Sequence, residues 1–122
     1  MKTSSLFFLF LFNVMLFISC DSSIKIGDLE IAKKDCSNAL QWDEAKKACA
    51  DLGNGWRLPT QGELSLMYEK RDEIGGFKSG SYWSSADNRL NEVWILSFNG
   101  GLQGDGRKRD FHNVRAVKSI KQ

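Results

Sequence analysis

The side chains of this 122-residue chain that could do chemistry are three cysteines, one histidine and a set of acids, amides and arginines in the C-terminal half. Tyr82 and Ser84 have no adjacent base, and the single histidine, His112, belongs to no triad spacing, so no residue is assigned as catalytic. Cys36, Cys49 and the distant His112 make an incomplete zinc set, and Asp105 and Asp110 lack the spacing of an oxygen-rich calcium loop, so neither a metal nor any other cofactor is expected. Binding chemistry is better supplied. Asp87, Asn88, Arg89, Asn91 and Glu92 precede an apolar run, and Gln103, Asp105, Arg107, Lys108, Arg109 and His112 crowd a glycine-rich segment. Brought to one face, these groups would offer hydrogen bonds to a sugar or a cationic patch to an acidic polymer. The plainer alternative is a pair of solvated turns.

The N-terminus carries an address. Lys2 precedes a phenylalanine- and leucine-rich run from Ser5 to Ile18 that is short for a membrane span and suits the apolar region of a signal peptide. It ends at Phe17-Ile18-Ser19-Cys20, which resembles the lipobox at which bacterial lipoproteins are cleaved and diacylated on the cysteine. The expected organisation is a signal peptide over 1–19, a lipidated N-terminus and short tether over 20–26 with the lipid on Cys20, and one domain over 27–122. The protein would then sit in the bacterial cell envelope, periplasmic or surface-exposed, with the membrane as a partner through that lipid. Seventeen basic against fifteen acidic side chains leave no nucleic-acid footprint. Export also permits a Cys36–Cys49 disulfide, worth about 3 kcal/mol in the chain-entropy model. A free Cys49 packed as a small hydrophobe beside Ala45, Ala48 and Leu52 is the competing reading.

The elements that must position these groups follow from periodicity. Ile24, Ile26, Leu29 and Ile31 predict one or two short strands around Gly27. Trp42, Ala45, Ala48, Cys49 and Leu52 recur at helical spacing, and Gly53-Asn54-Gly55 stops that helix. Thr60 and Glu63 form a capping box for a second helix running to Lys70 or Arg71 with Leu64, Met67 and Tyr68 on its apolar face. Val93 to Phe98 predicts a central strand covered on both faces, Asn99-Gly100 a turn, Gly101 to Gly106 an exposed connection, and Val114 to Val117 the last strand. The fold class is α+β, two helices packed on a twisted, mainly antiparallel sheet. Trp42, Trp56, Trp83 and Trp94 read as core anchors, Pro59 and Thr60 as the fixed entry to the second helix, and Arg57 and Arg115 as buried hydrogen-bonding hubs.

Trp42-Asp43-Glu44-Ala45, Gly55-Trp56-Arg57-Leu58-Pro59-Thr60, Glu63-Leu64, Tyr82-Trp83-Ser84-Ser85, Trp94, Phe98-Asn99-Gly100 and Val114-Arg115-Ala116-Val117 occur in that order. Together they resemble the domain at the C-terminus of the Legionella collagen-like adhesin and its relatives among Bacteroidetes lipoproteins and the Fibrobacter major paralogous domain. The resemblance covers roughly Gly27 to Ser119 and implies a C-type-lectin-like fold. It brings no catalytic residues, and neither the Glu-Pro-Asn nor the Trp-Asn-Asp pattern of calcium-dependent lectins is present. Many relatives carry a cysteine in the last strand where this chain has Ala116, which leaves Cys36 as the intramolecular partner for Cys49. The functional expectation is an envelope-anchored binding or accessory module for a polysaccharide or an envelope protein. A structural component of a fimbria-like or adhesin assembly is the alternative, and an enzyme a more distant one.

Overall fold

The computed structural model describes residues 23–36 and 38–120. The signal peptide and Cys20 lie outside the described residues. β1 (Ser23–Ile26) and β2 (Leu29–Ala32) form a hairpin whose turn uses Gly27 at φ 58°, a left-handed angle that glycine adopts at little cost. The sequence placed Ser23 to Ile26 with the tether, but Ile24 pairs with Ile31 and Ile26 with Leu29, so the folded body already includes them.

α1 (Trp42–Ala50) buries Trp42, Ala45 and Cys49 on one face. Leu52 corrects the sequence reading. It lies beyond the helix end and is 52% exposed, so it adds nothing to that face. After the Gly53-Asn54-Gly55 turn, whose three φ angles are all positive, the chain enters a strap that joins two parts of the molecule. Arg57 exchanges backbone hydrogen bonds with Val117 at 2.8 and 2.9 Å, and the Pro59 carbonyl accepts from the Ser85 amide at 2.8 Å. Arg57 then reaches Glu63 with both guanidinium ends, at 2.7 and 3.0 Å, and holds its carboxyl below the usual range. Glu63 also closes the capping box of α2 (Gln61–Glu69) with Thr60. A separate short helix, α3 (Arg71–Ile74), follows beyond the predicted helix end at Lys70 or Arg71; Ile74 is its buried residue.

β3 (Ser81–Asp87), β4 (Glu92–Ser97) and β5 (Gln103–Arg107) make a second antiparallel sheet with β4 in the centre. The Gly101 to Gly106 segment is therefore not simply a connection. Its latter part is an edge strand, which the sequence disguised because Gln103, Gly104 and Asp105 all face water. β6 (Val117–Ser119) begins at the last residue of the predicted strand, extends two residues beyond it and pairs with β2, giving the order β1-β2-β6 for the first sheet. Upstream of it the ladder continues less regularly, with Ala32 N to Ala116 O at 3.0 Å and Cys36 N to Val114 O at 2.9 Å.

The two-residue period of β3 and β4 divides the interior. Tyr82 and Leu96 enter a core with Leu29, Ile31, Leu64, Met67, Phe98 and Val117, against which Trp94 packs. Trp83 and Val93 turn the other way, with Ile95, and meet Trp42, Ala45, Cys49, Leu58, Val114 and Ala116. Each helix thus covers one face of the second sheet, as the apolar run of β4 requires.

Arg115 ties these layers together. It is wholly buried, and its Nε donates to Asp35 at 2.8 Å while Nη1 donates to the carbonyls of Ala32 and Gly75. The guanidinium also lies 4.0 Å from the Phe77 ring centroid. Asp35 in turn accepts from the Tyr82 hydroxyl at 2.8 Å. Arg115→Met leaves the Asp35 carboxylate buried without its cation and should cost about 3–5 kcal/mol in urea unfolding. Adding Asp35→Asn should recover part of that loss. A single variant as stable as the parent would show that Arg115 is not the hub described here.

Candidate functional site

The loop from β3 to β4 and the turn after β5 come together at one end of the second sheet. Arg89 and Asn91 hold left-handed φ angles of 69° and 66°, which side chains with a Cβ adopt only when their surroundings enforce it. Enforcement is local. Asp87 Oδ1 accepts from the Arg89 amide at 2.8 Å, and Asn88 Oδ1 accepts from the Leu90 amide at 2.8 Å and the Glu92 amide at 3.3 Å. In the opposing turn Asp110 Oδ2 accepts from the Arg107 amide at 3.1 Å.

Lys108 is the stitch between them. Its amide donates to Asn91 O at 3.0 Å, its Nζ meets Asp87 Oδ2 at 2.9 Å, and its carbonyl accepts from the Trp42 amide at 3.1 Å. Lys108, the Arg89 amide and, more weakly, Lys46 hold the exposed Asp87 carboxyl below the usual range. Lys46 and Lys108 stand 3.9 and 4.8 Å from the centroid of Trp42, and Gln41 Nε2 donates to Arg109 O at 3.0 Å. The start of α1 therefore buttresses the face from behind.

Leu90, Asn91, Glu92, Arg107, Lys108 and Arg109 line a recess of about 450 Å³. Arg89, Arg107 and Arg109 are exposed, and among the described residues their guanidinium groups enter no ion pair. Leu90, in the recess lining, is 77% exposed, and Phe111, two residues after Arg109 in the chain, is 62% exposed. The sequence reading missed both, although an isolated leucine within a polar loop was a usable signal.

The remaining candidates divide. Asp87 and Asn88 are occupied in shaping the loop, and Glu92 accepts from Asn88 Nδ2 at 3.3 Å. Gln103 and Asp105 lie further along β5, opposite Leu96 and Trp94, away from the recess lining. His112, a ligand-binding candidate in the sequence, is half-buried. Its ring packs edge-on against Trp83 at 4.6 Å, and its Nε2 is buried without a hydrogen-bond partner. A Cβ at Gly106 would stand 2.9 Å from that nitrogen and 3.1 Å from Trp83, so only glycine lets β5 approach.

The anchors are placed as follows. Trp42 and Trp83 are buried and donate to Ser84 O and Leu40 O, while Trp56 and Trp94 are partly buried against the two cores. Ser84 is also fully buried; its hydroxyl bonds Trp94 O and the Ala86 amide across the bulge in β3. Cys36 and Cys49 are free thiols. Among the described residues no group of three or more histidine, cysteine, aspartate or glutamate side chains could hold a metal ion, and no helix is long and apolar enough to cross a membrane.

Burial lowers the pKa of His112 below 6.5, with Asp110 opposing the shift. The unfolded chain therefore takes up the proton first. This contribution to stability is whole above about pH 6.5 and is lost as the pH falls through the folded value. Thermal melts from about pH 8 to pH 5 should show a step that His112→Phe flattens. Identical pH dependence in both proteins would remove His112 as its source.

A family model described as the Lcl C-terminal domain matches residues 20–118. In three dimensions the chain is similar to botrocetin, with 11% identity, a TM-score of 0.63, and coverage of 82% of this chain and 98% of that one. EMS16, described as an antagonist of the collagen receptor integrin alpha2beta1, aligns at 10% identity with a TM-score of 0.65 and the same coverages. A chain of the complex between botrocetin and a mutant von Willebrand factor A1 domain aligns at 10% identity with a TM-score of 0.61, again over 82% and 98% of the two chains. At such identities the likeness establishes the C-type-lectin-like fold. No curated protein matches the chain in sequence.

Proposed function

The chain belongs to the Lcl C-terminal domain family, and from that membership and its loop face we propose that it is an envelope-anchored binding module for an acidic macromolecular ligand. One observation carries the reading. Lys108 locks the β3–β4 loop, with its left-handed Arg89 and Asn91, to the internally bonded turn after β5, while Arg89, Arg107, Arg109, Leu90 and Phe111 stay exposed. A face ordered before binding loses little entropy on binding, and arginine and aromatic side chains supply much of the energy at protein interfaces. The exposed leucine and phenylalanine favour a protein ligand, in keeping with the protein partners named for EMS16 and the botrocetin complex. The recess of about 450 Å³ and its arginines support a polysaccharide as the second reading.

Within the same proposal, residues 1–19 are a signal peptide and Cys20 carries the lipid that places the domain at the envelope, either periplasmic or outward-facing. The arrangement of an edge strand at β5, with Gly104 and Asp105 exposed, also supports a role as a component of a surface assembly. Metabolic labelling with a fatty acid should mark the parent chain and not Cys20→Ala.

Binding of residues 21–122 to panels of acidic proteins and polysaccharides, at low and physiological salt, tests the ligand reading. Saturable binding should persist at physiological salt and fall about tenfold or more in Arg107→Ala/Arg109→Ala, with the circular dichroism spectrum unchanged. Binding that ignores this double change, or no binding across both panels, would sink it.

A further inference from the structure

We propose that Cys36 and Cys49 form a thiol–disulfide exchange site, with Cys36 as the entry thiol and Cys49 as the resolving thiol, whose closure stiffens the chain behind the loop face. The two free cysteines pack in the same apolar cluster, near enough for each thiol to shift the acidity of the other. Their surroundings differ in the way such chemistry needs. Cys36 is half-buried, on an irregular segment outside any helix or strand, whereas Cys49 has no exposed surface and sits in α1. An oxidant can therefore reach Cys36 alone. The neighbouring Cys49 thiol lowers the pKa of Cys36, while Cys36 and burial raise that of Cys49.

The reaction needs a disulfide-bearing oxidant, either a small molecule or a protein. The Cys36 thiolate attacks one sulfur of that disulfide, forming a mixed disulfide and releasing the other sulfur as a thiolate. That thiolate or solvent takes the Cys49 proton, and the Cys49 thiolate attacks the Cys36 sulfur. The intramolecular bond forms and the second thiol leaves. Two protein thiols are oxidised and one external disulfide is reduced to two thiols, so electrons and protons balance.

Position gives the bridge a consequence. Between the two cysteines runs the segment that holds the turn after β5: Leu40 exchanges backbone hydrogen bonds with His112, Gln41 Nε2 bonds Arg109 O, and the Trp42 amide bonds Lys108 O. Tying Cys36 to α1 closes this segment at both ends and lowers the frequency with which these bonds open. Any effect on ligand affinity rests on the binding reading above; the exchange chemistry and the backbone opening do not.

The test uses the full chain in detergent without ligand, equilibrated with glutathione at graded ratios of oxidised to reduced, then alkylated and mapped by mass spectrometry. The parent chain should accumulate a Cys36–Cys49 cross-link. Cys49→Ser should stall as a glutathione adduct on Cys36, while Cys36→Ser leaves Cys49 unmodified. No cross-link at any ratio, or equal adducts on the two cysteines in the single variants, would overturn the exchange site and leave Cys49 as a packed hydrophobe. Hydrogen exchange of the Leu40, Trp42 and His112 amides should slow on the order of tenfold in the oxidised form. Unchanged exchange in a fully cross-linked chain would overturn the coupling.

Discussion

A guanidinium with no access to water sets the terms for the rest of the molecule. Arg115 cannot shed its charge, and its burial is tolerable only because Asp35 and two carbonyls are already in place around it. Those partners come from the end of β2, the segment leading to α1, and the loop after α3. Meeting the demands of one side chain thus requires three pieces of chain to arrive together, and Phe77 and Tyr82 are drawn in through the guanidinium and Asp35. The same geometry explains Gly76: a Cβ there would stand 2.8 Å from Lys33 O and 3.3 Å from Arg115 Nη2.

Around this hub the fold separates stability from recognition. Two apolar cores occupy the two faces of the second sheet, and the Arg57 to Pro59 strap binds that sheet to the first through Val117 and Ser85. With the body held in this way, the far end of the sheet can carry left-handed backbone at Arg89 and Asn91 and leave leucine and phenylalanine in water. Short polar side chains offset the strain by accepting backbone hydrogen bonds. The cations are thereby left for something else.

Much of the architecture was legible in the residues. The capping box at Thr60 and Glu63, the left-handed Gly53 to Gly55 stop, and the doubly covered Val93 to Phe98 run each express a rule whose range is a few residues. β5 was not legible, because a glycine-alternating edge strand has no apolar pattern, and its glycine at 106 answers to Trp83 and His112 rather than to its neighbours. Leu52 misled for the opposite reason. Its spacing fits the helix, but the helix ends before reaching it.

At the candidate site the division is sharper. The residue types of a binding face and their crowding into two loops were determined by the sequence alone. Tertiary structure decided which of them face outward. Asp87 and Asn88 turned out to be braces, His112 a half-buried group packed on Trp83, Gln103 and Asp105 outlying, and Leu90 and Phe111 exposed residues that polarity would not have chosen. Turn and helix signals are set by hydrogen bonds between near neighbours, so a sequence displays them. The orientation of a loop side chain is set by contacts such as Lys108 with Asp87 and Trp42 with Lys108, which join residues far apart in the chain and exist only once the sheets have closed.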